Sequence, residues 1–257
     1  MSATDSIFIG IDLAWGPRNP SGGAVIRDGR LIAIRGDLTS LASIVDFVGE
    51  HLDAETGAVV AVDAPLRVPN ATGIRPCERA LNSDWARYQA GAHPANRNLL
   101  ARSGSVRGER LVALLEQNLR FSEATSIPKR SPDRLICEIY PHPAHVSLFG
   151  LDKTLKYKRG PVQTARGAAP IPAAPAVLAR GQAIDQEDQG SPSAHRCPVI
   201  ARTGAQGVRG SVGCAVLCVH WLLPVVAWST TARTYGTLAD GHIIVPLTPE
   251  MAKRMRG

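Results

Sequence analysis

The chain begins with short apolar runs separated by turn residues. Ile7-Phe8-Ile9-Gly10-Ile11-Asp12-Leu13 alternates and then runs apolar, the pattern of a strand covered on both faces. A loop rich in Gly, Pro and Asn follows from Gly16 to Gly22. Gly23 to Arg27 and Arg30 to Arg35 then flank Asp28-Gly29, a dipeptide suited to a tight hairpin. Thr39 or Ser40 can cap a helix whose apolar positions Leu41, Ile44, Val45, Val48 and Leu52 fall at helical spacing. After Gly57, Val59-Val60-Ala61-Val62 predicts another buried strand, ending at Asp63. The order is strand, hairpin, helix, strand. A right-handed crossover through the helix can lay this strand beside the first, bringing Asp12 and Asp63 to one sheet edge.

The polar stretch Arg67–Arg102 carries mixed helix and loop signals, and loops of such length are usually functional or disordered. Val106, Leu111, Leu114 and Leu115 predict an amphipathic helix over 105–118. Leu135-Ile136-Cys137-Glu138-Ile139 predicts a further strand, followed by a short helix from Pro143 to Phe149 and a basic patch at Lys153, Lys156, Lys158 and Arg159. Residues 165–236 contain no lysine and only three acids (Asp185, Glu187, Asp188), with repeated Ala, Pro, Gly and Arg. That is the composition of a disordered linker running into an apolar stretch, Val212 to Trp228. His220 and Pro224 interrupt that stretch, which argues against a membrane span. Gly241 to Leu247 predicts a final strand.

Composition narrows the classes. The 257 residues fit one large domain or a domain with a long insertion. The N-terminus lacks the basic start and apolar core of a signal peptide, and five cysteines without paired spacing fit a reducing compartment. A cytoplasmic location and no membrane partner are the expectation. The net charge of +7 invites a polyanion. Part of that excess comes from 165–236, where Arg166, Arg180, Arg196, Arg202, Arg209 and Arg233 outnumber the acids, so the charge says little about nucleic acid.

Asp12, Asp63 and Glu138 each close or interrupt an apolar strand, where an acid is costly unless paired, protonated or bound to a cation. Three of them, from distant parts of the chain, suggest a shared acidic site for a divalent metal. The alternatives are a turn cap at Asp63, before Ala64-Pro65, and an arginine partner for Glu138. Arg75, Glu78, His93, Asn96 and Arg97 lie in the long polar stretch, where an arginine can hold phosphate by paired hydrogen bonds. Tyr140, His142 and His145 sit just beyond the third acidic strand. His142 can relay a proton or simply pack between Pro141 and Pro143. Lys156, Lys158 and Arg159 can contact a phosphate backbone or form a solvated face. Cys214, Cys218 and His220 lack zinc spacing, and the glycines at 204, 207 and 210 follow no strand.

Five motifs together resemble one family. Gly10-Ile11-Asp12-Leu13-Ala14-Trp15-Gly16, Ala61-Val62-Asp63-Ala64-Pro65-Leu66, Arg75-Pro76-Cys77-Glu78, His93-Pro94-Ala95-Asn96-Arg97 and Cys137-Glu138-Ile139-Tyr140-Pro141-His142-Pro143-Ala144 are similar to those of the domain of unknown function 429 family, predicted nucleases of ribonuclease-H type. The resemblance covers residues 7–164 and resumes from Tyr235-Gly236 to Leu247. It implies a ribonuclease-H-like α/β fold, a mixed five-stranded sheet flanked by helices, here with a disrupted C-terminal third. It also implies acids that coordinate Mg²⁺ or Mn²⁺. On this reading Asp12, Asp63 and Glu138 are the metal ligands and catalytic residues. Arg75, Glu78, His93, Asn96, Arg97, Tyr140, His142 and Lys158 line the place of a nucleic acid or nucleotide substrate, and a water attacks the phosphodiester. Phosphoryl transfer of the actin-like or sugar-kinase type is the alternative on the same core, although the glycine-rich phosphate turns it needs are not found.

The family also carries a late helix of the form Lys-x-Tyr-Glu-Asp-x-x-Asp-Ala, whose acids would complete the metal site; no such motif stands in this sequence. We expect the segment at about 165–232 to be translated out of frame. Shifting the codons permitted for Gln206 to Trp228 by one base allows that motif and an apolar continuation. The tightly constrained positions agree: Trp221 forces Gly, Cys214 and Cys218 allow only Ala or Val, and Gln206 allows only Lys or Arg. A divergent insertion is the competing explanation. The domain reading is therefore a core over 5–164, an out-of-frame and largely disordered segment over 165–234, and a C-terminal strand of the core over 235–250. A third functional reading follows, that the chain as written is a damaged, non-catalytic product.

Overall fold

Unbroken apolar sequence forms the centre of the sheet. In the computed structural model, β1 (Ile7–Asp12) and β4 (Ala58–Val62) run side by side in parallel, and β4 is buried along its whole length. Residues 7–53, 57–102, 104–128, 131–154 and 231–255 are described. All belong to one of the two units into which the chain divides; the other, Tyr157–Val208, lies outside the described residues, as does most of the segment expected to be out of frame.

β2 (Ser21–Arg27) and β3 (Arg30–Leu38) extend the sheet from β1 as an antiparallel pair. Their turn is the expected Asp28-Gly29, with φ of 51° and 71°. Two successive positive φ values give a turn twist that matches the strands. Ser40 caps α1 (Leu41–Gly49): its hydroxyl accepts from the Ser43 N–H, and the Ser43 hydroxyl accepts in return from the Ser40 N–H. Beyond β4 come β6 (Arg134–Glu138), parallel to it, and β5 (Ser122–Glu123), parallel to β6. The strand order is β3-β2-β1-β4-β6-β5. The sheet thus has six strands where five were expected, because the two-residue β5 is too short to leave a pattern in the sequence.

Helix α4 (Arg107–Leu119) lies beside α1 on one face of the sheet. Ile44, Phe47, Val48, Leu111, Val112 and Leu115 close that core over Ile9, Ile11, Val60, Val62 and Ile136. Phe8, Val59, Ala61, Cys137 and Ile139 form the core of the opposite face, joined by Ile244. The polar stretch after Asp63 is more ordered than its composition suggests, with α2 (Pro76–Trp85), a short 3-10 turn (Ala86–Tyr88) and the single turn α3 (Arg97–Leu100).

The C-terminal strand forms as expected but pairs elsewhere. β8 (Gly241–Leu247) makes an antiparallel hairpin with β7 (Thr231–Thr237) and touches the main sheet through one bridge, Ile139 to Ile244. α2 and α5 (Pro141–Phe149) pack on this hairpin. Trp85 Nε1 donates to the Tyr235 hydroxyl, which donates to Asp84, and Arg233 pairs with the same carboxylate. A last helix, α6 (Pro249–Arg254), is capped by Thr248. Among the described residues, no helix is long and apolar enough to cross a membrane.

Candidate functional site

The strand register brings two of the predicted acids together. Ile11 pairs with Val62, and the Asp63 N–H donates to the Ile11 carbonyl at 2.8 Å. Asp12 and Asp63 therefore sit next to each other at the carboxyl ends of adjacent parallel strands, whose backbones lie about 4.8 Å apart. Both are half-buried. By strand alternation they share the face of Phe8, Val59 and Ala61.

Glu138 takes a different position. It pairs with Val62, one step short of the Asp63 level, so alternation turns it to the face of Ile136 and Val62. Its Oε1 accepts from Arg75 Nη2 at 2.6 Å, and its Oε2 accepts from Arg75 Nη1 and the Leu66 N–H, both at 2.9 Å. The arginine partner weighed for this acid is Arg75. Arg75 also donates to Glu78 Oε1 and to the Arg67 carbonyl, while Glu78 Oε2 accepts from the Arg75 and Ala95 N–H groups. One guanidinium thus holds two carboxylates, all three side chains being buried. Burial pushes the Glu138 carboxyl up to about 7, against the pull of Arg75. Burial also opposes the Arg75 charge, but the facing Glu138 carboxylate overcomes it and holds the guanidinium above its ordinary value.

This cluster withdraws Arg75 and Glu78 from the expected substrate surface. Asn96 is buried as well, capping α3 through the Leu99 N–H and donating to the Gly73 carbonyl. Arg97 is exposed, with both oxygens of Glu109 as partners. His93 is exposed in the loop before α3. Tyr140 donates to the Gly91 carbonyl, and a ring nitrogen of His142 meets the Thr154 hydroxyl at 2.9 Å. The rings of Tyr140, His142 and His145, at the N-cap and along α5, form one chain of contacts. Lys156, Lys158 and Arg159 lie outside the described residues.

A pocket lined by the residues that follow Asp12 and Asp63, on the α4 side of the sheet, was not anticipated. Leu13, Ala14, Trp15, Ala64, Pro65, Leu100, Val106, Arg107 and Gly108 line a shallow, open depression of about 20 Å³. Its wall depends on Gly108: a Cβ there would overlap the Pro65 carbonyl oxygen, so α4 approaches the loop after Asp63 only because residue 108 is glycine. A glycine inside a helical pattern was the available signal. Alanine at 108 is expected to cost about 1–3 kcal/mol, as overpacking against backbone does. A urea midpoint equal to wild type would show that this contact gives way freely.

Asp12 and Asp63 are the acids of this site that could hold a hard cation. Mg²⁺ commonly uses one or two carboxylates and completes its shell with waters and substrate phosphate, and Asp12 with Asp63 supplies such a pair. Among the described residues, no group of three or more His, Cys, Asp or Glu side chains is disposed to hold a metal.

A family model described as "Protein of unknown function (DUF429)" matches residues 10–196. The match passes residue 164, where the motif resemblance stops. No curated protein and no solved structure matches the chain.

Proposed function

Because the chain belongs to the DUF429 family and two aspartates end adjacent central strands, we propose that it is a metal-dependent phosphodiesterase of ribonuclease-H type. The observation that carries this reading is the Ile11–Val62 register, which sets Asp12 against Asp63. The order β3-β2-β1-β4-β6, with one antiparallel trio and two further parallel strands, supports a ribonuclease-H-like core.

Asp12 and Asp63 would hold Mg²⁺ or Mn²⁺. When bound, the cation polarises a phosphoryl oxygen and offsets charge developing at the leaving oxygen. Glu138 is given a positioning role: through the Leu66 N–H and, by way of Arg75, the Arg67 carbonyl, it anchors the loop that follows Asp63. The segment at about 165–232 is proposed to be out of frame, which would make the chain as written a weak or inactive form. One uninterrupted frame in genomic reads across those codons would refute that.

The function is tested with Asp12→Asn and Asp63→Asn, assayed on RNA and DNA with Mn²⁺. Cleavage is expected to fall about a hundredfold or more, the scale for loss of a transition-state charge stabiliser, and Mn²⁺ affinity measured by calorimetry should fall with it. Wild-type cleavage and affinity in both variants would sink the proposal. Phosphoryl transfer on the same core predicts thermal stabilisation by nucleotide instead.

A further inference from the structure

Among the described residues with a buried polar side-chain atom that lacks a partner, Arg107 is the one that lines the pocket at the start of α4. Its Nε and Nη2 are closed off from solvent and have no hydrogen-bond partner, although it lines the pocket formed with Leu13, Ala14, Ala64 and Pro65. A buried donor without an acceptor is costly, more so when charged, and in native structures it marks a place for water or an ion. Burial alone lowers this guanidinium, with no carboxylate drawing it back. The contrast with Arg75, Arg97 and Arg233 is direct, since each of those is paired to an acid. Val106, Arg107 and Gly108 are the cap and first turn of α4, and no side chain caps that end. Trp15 stands at the rim and is 62% exposed, the only aromatic among the large hydrophobics on the described surface. An exposed indole beside an unpaired guanidinium offers a stacking face next to an anion donor.

We infer that this pocket receives a single-stranded nucleic acid, with a phosphate on Arg107 and an unpaired base on Trp15. The chemistry selects the strand type. A guanidinium fork matches phosphate oxygens, whereas an indole stacks only on a base whose face is not already covered by a helical neighbour. Phosphate held at Arg107 would lie against Leu13, Ala14, Ala64 and Pro65, the residues that follow Asp12 and Asp63 in the chain. The inference rests on the nuclease reading only in treating the bound phosphodiester as the one to be cut.

Binding is measured in EDTA, on the full chain, with a fluorescein-labelled single-stranded oligonucleotide and with its duplex. The wild type is expected to prefer the single strand, and binding should quench tryptophan fluorescence. Arg107→Gln and Trp15→Ala should each weaken single-strand binding about tenfold, with unchanged melting temperatures, and the quenching should vanish in Trp15→Ala. Trp15 is exposed, so that variant remains informative if Arg107→Gln misfolds. Binding within twofold of wild type in either folded variant, or equal affinity for the duplex, would overturn the inference. Variant-sensitive binding without cleavage under any metal would keep this pocket and remove the nuclease reading. Cleavage lost in Asp12→Asn, with unchanged binding in Arg107→Gln, would do the reverse.

Discussion

Replacing Arg75 with methionine is expected to cost about 3–5 kcal/mol, the usual result of removing one partner from a buried ion pair. The side chains of Arg75, Glu78 and Glu138 are at most 4% exposed, so none can turn to water when a partner leaves. Without the guanidinium, two carboxylates remain buried near each other, and at least one must take a proton at neutral pH. The Arg67 carbonyl also loses its donor. Glu138→Gln is expected to be milder, about 1–3 kcal/mol, because it leaves a neutral Arg75–Glu78 pair and an oxygen that can still accept from the Leu66 N–H. The order of urea midpoints should be wild type, Glu138→Gln, Arg75→Met. The reverse order for the two variants would show that the guanidinium is not what holds the acids in place. Glu138→Gln with an unshifted midpoint and no Mn²⁺ affinity would return Glu138 to the role of a ligand.

The contrast between Asp63 and Glu138 shows what could be read from the sequence. Both acids end apolar runs, and the runs identify the strands correctly. The Asp28-Gly29 turn and the Ser40 cap were legible because their chemistry is local, a matter of two to four residues. The pairing of β1 with β4 was legible because a helix between them limits the connections. The partner of Glu138 was a different problem. Arg75 is 63 residues away, in a stretch whose composition resembles solvated loop. No periodicity separates an arginine bound inward to two acids from one reaching for phosphate. Arg107 was missed for the converse reason: at the first position of an amphipathic helix it resembles ordinary surface charge, and only the closing of its nitrogens by neighbouring atoms singles it out. Strand β5, with two residues, carries no pattern to read.

Acid is expected to weaken the fold through two histidines. His145 and His242 are 1% and 0% exposed, and burial holds each down at about 4. Nearby positive charge adds to the effect, from His142 beside His145 and from Arg75 and Arg67 near His242. The unfolded chain takes up these protons near pH 6.5 and the folded chain does not. The stability they contribute is therefore complete above pH 6.5 and is lost as pH falls toward 4. A depression of about 2.5 pH units corresponds to about 3 kcal/mol for each histidine. Glu138 and Glu123, raised by burial, act in the opposite sense, since their protonation on acidification favours the fold. The total slope is thus a difference, and one histidine must be isolated to test it. His242 faces Glu123 at 3.4 Å, which couples the two titrations. His145 lies between the rings of His142 and Phe149, and burial and His142 are what hold its titration down, so it is the one to replace. In His145→Phe, stability measured by urea unfolding should fall about 3 kcal/mol less than in wild type between pH 7 and pH 4. Parallel curves for the two proteins would mean that His145 takes up its proton without unfolding the chain, and that α5 opens to water more readily than its packing implies.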